Sequence, residues 1–117
     1  MTAHTTIEDL RETKIRYGGL AKTMKLLIFL FKSGLSEEEI LKNTESRAEQ
    51  YLKVKGLVQK YYVQDGETNR VGGIFVFDSE ENLKAFRDSE LAKSTGEVYG
   101  FTEPPHTRVL EIVKTLR

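Results

Sequence analysis

The chain of 117 residues contains no cysteine and no tryptophan. Without cysteine, disulfides, thiolate nucleophiles, thiolate zinc sites and iron–sulfur clusters are excluded outright. Proline is scarce: Pro104 and Pro105 are the only two, and being adjacent they mark one irregular junction. A surplus of either charge is also missing, because 18 Lys and Arg balance 18 Asp and Glu. A protein built to hold a nucleic-acid backbone or an anionic membrane needs a basic excess, so neither partner is expected. The longest apolar run, Leu26 to Phe31, falls far short of the ~20 residues of a membrane span. Met1 to Leu10 carries acidic residues and no apolar core, unlike a secretory signal. What is present, 38% hydrophobic and 31% charged residues, is the composition of one globular domain, expected in the cytoplasm.

Residues 1–23 read as an N-terminal extension to a domain spanning 24–117. Thr5-Thr-Ile-Glu8 offers a capping box for a short helix that Gly18 and Gly19 would end. Basic residues cluster from Arg11 to Lys32 and glutamates from Ser36 to Gln50; these read as two solvated faces that offset each other. Met24 to Lys32 is apolar on both alternating faces and predicts a strand buried from both sides. Ser36-Glu-Glu-Glu39 is a capping box, and Ile40, Leu41, Thr44, Ala48, Tyr51 and Leu52 follow at helical spacing. Lys53 to Gly56 closes that helix. Leu57 to Asp65 is rich in aromatic and branched residues, Asp65-Gly66 opens a turn, and Arg70 to Phe77 returns, which predicts a hairpin. Asp78-Ser-Glu-Glu81 is a second capping-box candidate, for a helix carrying Leu83, Phe86 and Leu91 and ending at Ser94 to Gly96. Thr107 to Thr115 is the fourth strand.

The order β-α-β-β-α-β predicts an α+β fold, the ferredoxin-like sandwich of a four-stranded antiparallel sheet with two helices on one face. Two helices cover only that face. The first strand nevertheless places Leu26, Ile28 and Leu30 on one side and Leu27, Phe29 and Phe31 on the other. Leaving one set in water would expose large side chains worth roughly 1.5–3 kcal/mol each and make a patch that monomers rarely carry. A second copy, packed sheet on sheet as a homodimer, is the expected cover.

Lys55-Gly-Leu-Val-Gln-Lys60-Tyr-Tyr-Val63, then Gly72-Gly-Ile-Phe-Val-Phe77, a helix opening Ser79-Glu-Glu81, and Glu103-Pro104 before the last strand carry a resemblance. Over roughly Met24 to Lys114 the chain resembles the small monooxygenases of the dimeric α+β barrel superfamily. The resemblance implies a homodimer whose two sheets form a barrel, with a pocket between helices and sheet in each subunit. It also implies oxidation of aromatic or quinol-type substrates by molecular oxygen with no metal, flavin or haem, so no cofactor is expected. The Asn-Trp-His set of some relatives is not recognisable here.

Lys60 sits mid-strand among apolar and aromatic residues, where a charge is costly unless paired or functional. Its ammonium could stabilise an enolate or phenolate; an ion pair with a neighbouring strand, for example with Glu111, or a snorkelling edge lysine is the structural alternative. Strand alternation puts Tyr62, not Tyr61, on the face of Lys60, where its hydroxyl could donate to a substrate oxygen. Gly72 and Gly73 interrupt a strand and mark either space for a bound ring or a close backbone approach. With Phe75 and Glu103 they form the expected substrate-binding set. His106, beside the Pro-Pro junction, is a candidate general base that Glu103 could orient. A lone histidine without companion ligands argues against a metal site.

Two other readings share the topology. An RNA-recognition domain would match at Arg70, Gly73 and Phe77, but its base-stacking positions fall on Gly72 and Ile74. A non-catalytic module for ligand binding or dimerisation would keep the pocket and lack oxygen chemistry.

Overall fold

A computed structural model describes residues 23–117; the expected helix between Thr5 and Gly19 lies outside them. Among the described residues eight elements follow one another: β1 (Lys25–Phe31), α1 (Glu37–Leu52), β2 (Leu57–Gln64), β3 (Val71–Phe77), α2 (Glu80–Arg87), α3 (Glu90–Lys93), α4 (Thr95–Tyr99) and β4 (His106–Glu111). The strands form one antiparallel sheet in the order β2-β3-β1-β4. This is the ferredoxin-like α+β arrangement expected from the residue pattern. No helix among the described residues is long and apolar enough to cross a membrane.

Local signals place the helices. The Ser36 hydroxyl accepts from the Glu39 amide while the Glu39 carboxylate accepts from the Ser36 amide, so the capping box forms as expected. The second box does not form. Ser79 is the cap, accepting from Asn82 N, and the Asn82 amide turns to Asp78 Oδ1 at 2.8 Å instead of returning to the cap. The single helix expected from there to Ser94 is in fact broken. Asp88 ends α2, and Ser89 caps a new start by accepting from Ala92 N. The chain then forms α4 where the residue pattern predicts the helix to end at Ser94 to Gly96, and Gly100 ends it at φ 59°. Short serine side chains that satisfy backbone amides out of line explain the break. The fourth strand also stops earlier than expected: its register with β1 ends with Glu111 opposite Lys25, and Ile112 N donates to Met24 O just beyond it.

Packing is one-sided. Leu27, Phe75 and Phe77 on the sheet meet Tyr51 of α1 and Leu83 and Phe86 of α2, and these six form the core. Phe77 and Leu27 are sealed from solvent. Cross-strand partners Leu27 and Phe75 set the register, and a one-residue slip would turn every one of these groups outward. Leu26, Ile28, Leu30, Ile74 and Val76 line the opposite face, half-buried, with Tyr61 and Leu110 exposed among them.

The two adjacent glycines separate in role. A Cβ on Gly72 would stand 1.9 Å from the Phe29 carbonyl oxygen, so β1 and β3 approach too closely there for any side chain. We therefore expect Gly72→Ala to lose more than about 2 kcal/mol of stability through forced strand displacement. Urea unfolding measures this, and a loss below about 0.5 kcal/mol would mean that the strands part without strain.

Candidate functional site

Between the helical layer and the sheet lies a cavity of about 410 Å³. Its sheet wall is built from alternate residues of three strands: Phe29 and Phe31, Lys60 and Tyr62, Gly73 and Phe75. Ile40, Thr44 and Tyr51 enter from one stripe of α1, and Phe86, Thr95 and Tyr99 close the remaining sides. The far end is fastened by side chains that reach across the chain. Thr44 Oγ1 and Tyr99 OH are 3.0 Å apart, Asn43 donates to Val98 O, and Ser33 Oγ donates to Tyr99 O.

Lys60 is carried into this space by strand alternation. Its Nζ lies 3.2 Å from the centre of the Tyr51 ring, 4.4 Å from Tyr62 and 4.7 Å from Phe75. Ring faces are electron-rich and attract the ammonium, by up to about 2 kcal/mol each when water is excluded. The alternative ion pair with Glu111 does not form. Strand order puts β2 and β4 at opposite edges of the sheet, about 14 Å apart at normal strand spacing, and Glu111 meets Lys25 at 2.9 Å. Gly73 frees the space beside the amine, for a Cβ there would stand 3.2 Å from Lys60 Cε and 3.0 Å from the Phe75 ring. Burial, and then the charge of Arg47, lowers the Lys60 pKa to about 7; the ring faces act in the opposite direction. Tyr62 is half exposed at the same wall. Burial and the neighbouring Tyr51 and Tyr99 raise its pKa, so its hydroxyl keeps the proton and remains a donor.

Arg47 and Tyr51 escaped the sequence reading as site residues. Arg47 is buried behind the cavity wall, donating to Leu91 O at 2.7 Å, Ser94 Oγ at 3.2 Å and Thr95 Oγ1 at 3.3 Å. It thereby ties α1 to α3 and α4, with its guanidinium 5.9 Å from the ring centres of both Tyr51 and Tyr99. Among the described residues its Nε has no hydrogen-bond partner. A signal was available: Arg47 stands four residues before Tyr51, within the stripe marked by Thr44, Ala48 and Tyr51.

Of the residues singled out from sequence, Lys60, Tyr62, Gly72, Gly73 and Phe75 border one cavity. Glu103 and His106 do not. His106 pairs with Leu30 in β4, on the face turned away from Lys60, and is exposed. Glu103 accepts from Arg70 Nε at 2.9 Å and lies 3.7 Å from His106 Nε2. Both line a separate surface depression with Ile28, Leu30 and the two prolines. A molecule in the cavity is therefore separated from His106 by the sheet. Among the described residues no group of three or more acidic or histidine side chains converges as a metal site would require. The cavity wall presents an amine, hydroxyls and ring faces.

Residues 26–106 match the model of the family described as "Putative mono-oxygenase ydhR". No curated protein matches the chain. Among solved structures, a protein of unknown function from Nitrosomonas europaea superposes with TM-score 0.69 at 15% identity, covering 83% of this chain and 95% of that one. A "putative antibiotic biosynthesis monooxygenase" from Caulobacter crescentus gives 0.66 at 16% identity, over 79% and 92%. A dimeric ferredoxin-like protein of unknown function from Thermobifida fusca gives 0.63 at 9% identity, over 76% and 91%. At these identities the likeness establishes the fold.

The amine has a measurable consequence. Unfolding returns Lys60 towards its ordinary pKa of 10.5. From about pH 7 to about pH 10.5 the unfolded chain then holds the extra proton, so this group makes stability rise with pH, by at most about 1.4 kcal/mol per unit. Below that window Lys60 is charged in both states and contributes no slope. Urea unfolding at stepped pH should show the rise in the native sequence and a smaller one in Lys60→Met. Parallel curves would place Lys60 in its ordinary range.

Proposed function

The chain belongs to the family described as putative mono-oxygenase ydhR, and on that premise we propose that it uses molecular oxygen to oxidise a small aromatic or quinol-like substrate in the cavity. The observation that carries this reading is Lys60, an amine held against three ring faces in a space of about 410 Å³. A flat ring fits among Phe29, Phe75 and Tyr99, which offer stacking and edge contacts. In its charged form Lys60 favours the ionised form of a substrate hydroxyl and stabilises the phenolate, and Tyr62 donates to the same oxygen. A phenolate is electron-rich enough to reduce oxygen without help. For a hydroxyarene the balance closes on its own. The ring carbon gains one oxygen atom, two hydrogens leave with the other atom as water, and a quinone results. The substrate is the sole reductant.

Oxygen consumption by the full chain with naphthol and hydroquinones tests this directly. We expect Lys60→Met to reduce kcat by about a hundredfold or more while leaving the fold and assembly unchanged. Thermal stabilisation by these compounds without any oxygen uptake would instead identify a non-catalytic ligand-binding module.

The same reading includes a homodimer. No helix among the described residues covers the face bearing Ile28, Leu30, Ile74 and Val76, and Tyr61 and Leu110 on that face are 54% and 40% exposed. A second copy packed sheet on sheet would bury them. Light scattering should return twice 13.4 kDa for the native chain. Joint replacement Tyr61→Glu and Leu110→Glu should return a single-chain mass with the far-ultraviolet spectrum intact. A native chain that scatters as one copy would remove the partner.

A further inference from the structure

Neither Lys60 in the cavity nor Arg47 behind its wall meets a carboxylate among the described residues. Lys60 Nζ makes no hydrogen bond or ion pair among the described residues and meets ring faces alone. Its three N–H donors are unspent. Behind the wall, Arg47 bonds to one carbonyl and to hydroxyls, and has no carboxylate within ion-pair distance among those residues. The two groups oppose each other as cations, since the charge of Arg47 is one cause, after burial, of the lowered Lys60 pKa. The charged and titratable groups around Lys60 are Arg47, Tyr51 and Glu37 from α1, Tyr62 from β2 and Tyr99 from α4. Glu37 is the one carboxylate among the cavity residues, exposed in the first turn of α1.

Removing a cation from water without a counter-charge costs several kcal/mol, and ring faces return only part of it. The cheapest remaining source of negative charge is the ligand. We propose that the cavity binds an anionic aromatic molecule, a hydroxyaryl carboxylate whose carboxylate sits on Lys60 Nζ in the field of Arg47, and that binding draws a proton onto Lys60. This deepens the oxygenase reading by naming the substrate class, and it rests on that reading's placement of the ligand. Arg47 does not touch the ligand; it acts through its field and by holding Tyr51 and Thr95 in the wall.

Titration calorimetry of the full chain tests the proposal with hydroxynaphthoate, its neutral amide hydroxynaphthamide, salicylate and salicylamide. Each is measured at pH 8 in phosphate and in Tris, whose ionisation enthalpies differ. We expect each carboxylate to bind at least tenfold more tightly than its amide. Carboxylate binding should take up a large fraction of one proton per site, because an anion beside the amine restores its charge. Lys60→Met should lose both the preference and the uptake. Lys60→Arg should keep the preference without uptake, since a guanidinium is already charged. Equal binding of acid and amide, uptake that persists in Lys60→Met, or no carboxylate bound at millimolar concentration would each overturn the proposal. Should a variant fail to fold, the native chain's acid-to-amide ratio and its two-buffer comparison still decide. Anion preference without oxygen consumption would leave this inference standing and remove the oxygenase. Oxygen consumption with naphthol but no preference for acids would do the reverse.

Discussion

A lysine set in the middle of a strand, beneath a helical layer, must have its charge met by something. In this molecule it is met by ring faces. Lys25 shows the other solution on the same side of the same sheet. It pairs across β1 and β4 with Glu111, at the less protected edge, in an ordinary ion pair. Lys60 sits on β2, with β3 and β1 between it and that carboxylate. The cation is instead placed where Tyr51, Tyr62 and Phe75 converge. A carboxylate at any of these positions would be a better partner for the ammonium alone. It would also neutralise the site and leave no reason for an anion to enter.

The neighbouring structure follows from keeping that amine in place and reachable. Gly73, directly across from Tyr62 in the sheet, holds open the volume next to Lys60 Cε. Tyr51 reaches the amine because α1 starts at a defined residue, and the Ser36–Glu39 capping box sets that start. Arg47, one turn earlier, fixes the other end of the wall by bonding to the C-terminal carbonyl region of α3 and to Thr95. Broken helices are useful there. A continuous helix from Glu80 to Tyr99 would have satisfied Leu91 O within its own ladder, whereas the break at Ser89 and Ser94 lets that carbonyl accept from Arg47 as well.

Strand and helix positions were legible because the pattern is redundant. Alternation over Leu26 to Phe31, the Ser36 box and the Gly72–Phe77 run each select one element and one face. The face shared by Lys60 and Tyr62 was legible for the same reason. Two things were not. The helix break depends on whether Ser89 turns its hydroxyl to a backbone amide, and serine composition does not distinguish a cap from a surface residue. The separation of His106 from Lys60 turned on one residue. With the fourth strand begun at Thr107, His106 belongs to a loop and can be imagined on either side. Begun at His106, it pairs with Leu30 and its face is fixed. Contacts between residues distant in sequence, such as Tyr51 with Lys60, follow from the packing of α1 on β2 and leave no local mark.

The fold by itself constrains the chemistry weakly, since one scaffold hosts many activities; solved structures of this fold include proteins of unknown function alongside those described as monooxygenases. What distinguishes this chain must therefore lie in side chains that the fold does not require. The core residues Leu27, Phe77 and Leu83 would serve any member of the architecture. Lys60 and Arg47 serve none of its structural needs as cheaply as apolar residues would, because a cation between sheet and helix is a net burden unless its surroundings repay the lost water. Lys60 in the cavity with Arg47 buried behind its wall, and glycine vacating the space between the amine and a ring, make a structural explanation harder to sustain than for either alone. A stapling role accounts for Arg47's hydrogen bonds to α3 and α4, but no corresponding set of bonds exists for the Lys60 ammonium. The unspent donors are thus the feature that points from fold to function, and they point into the cavity.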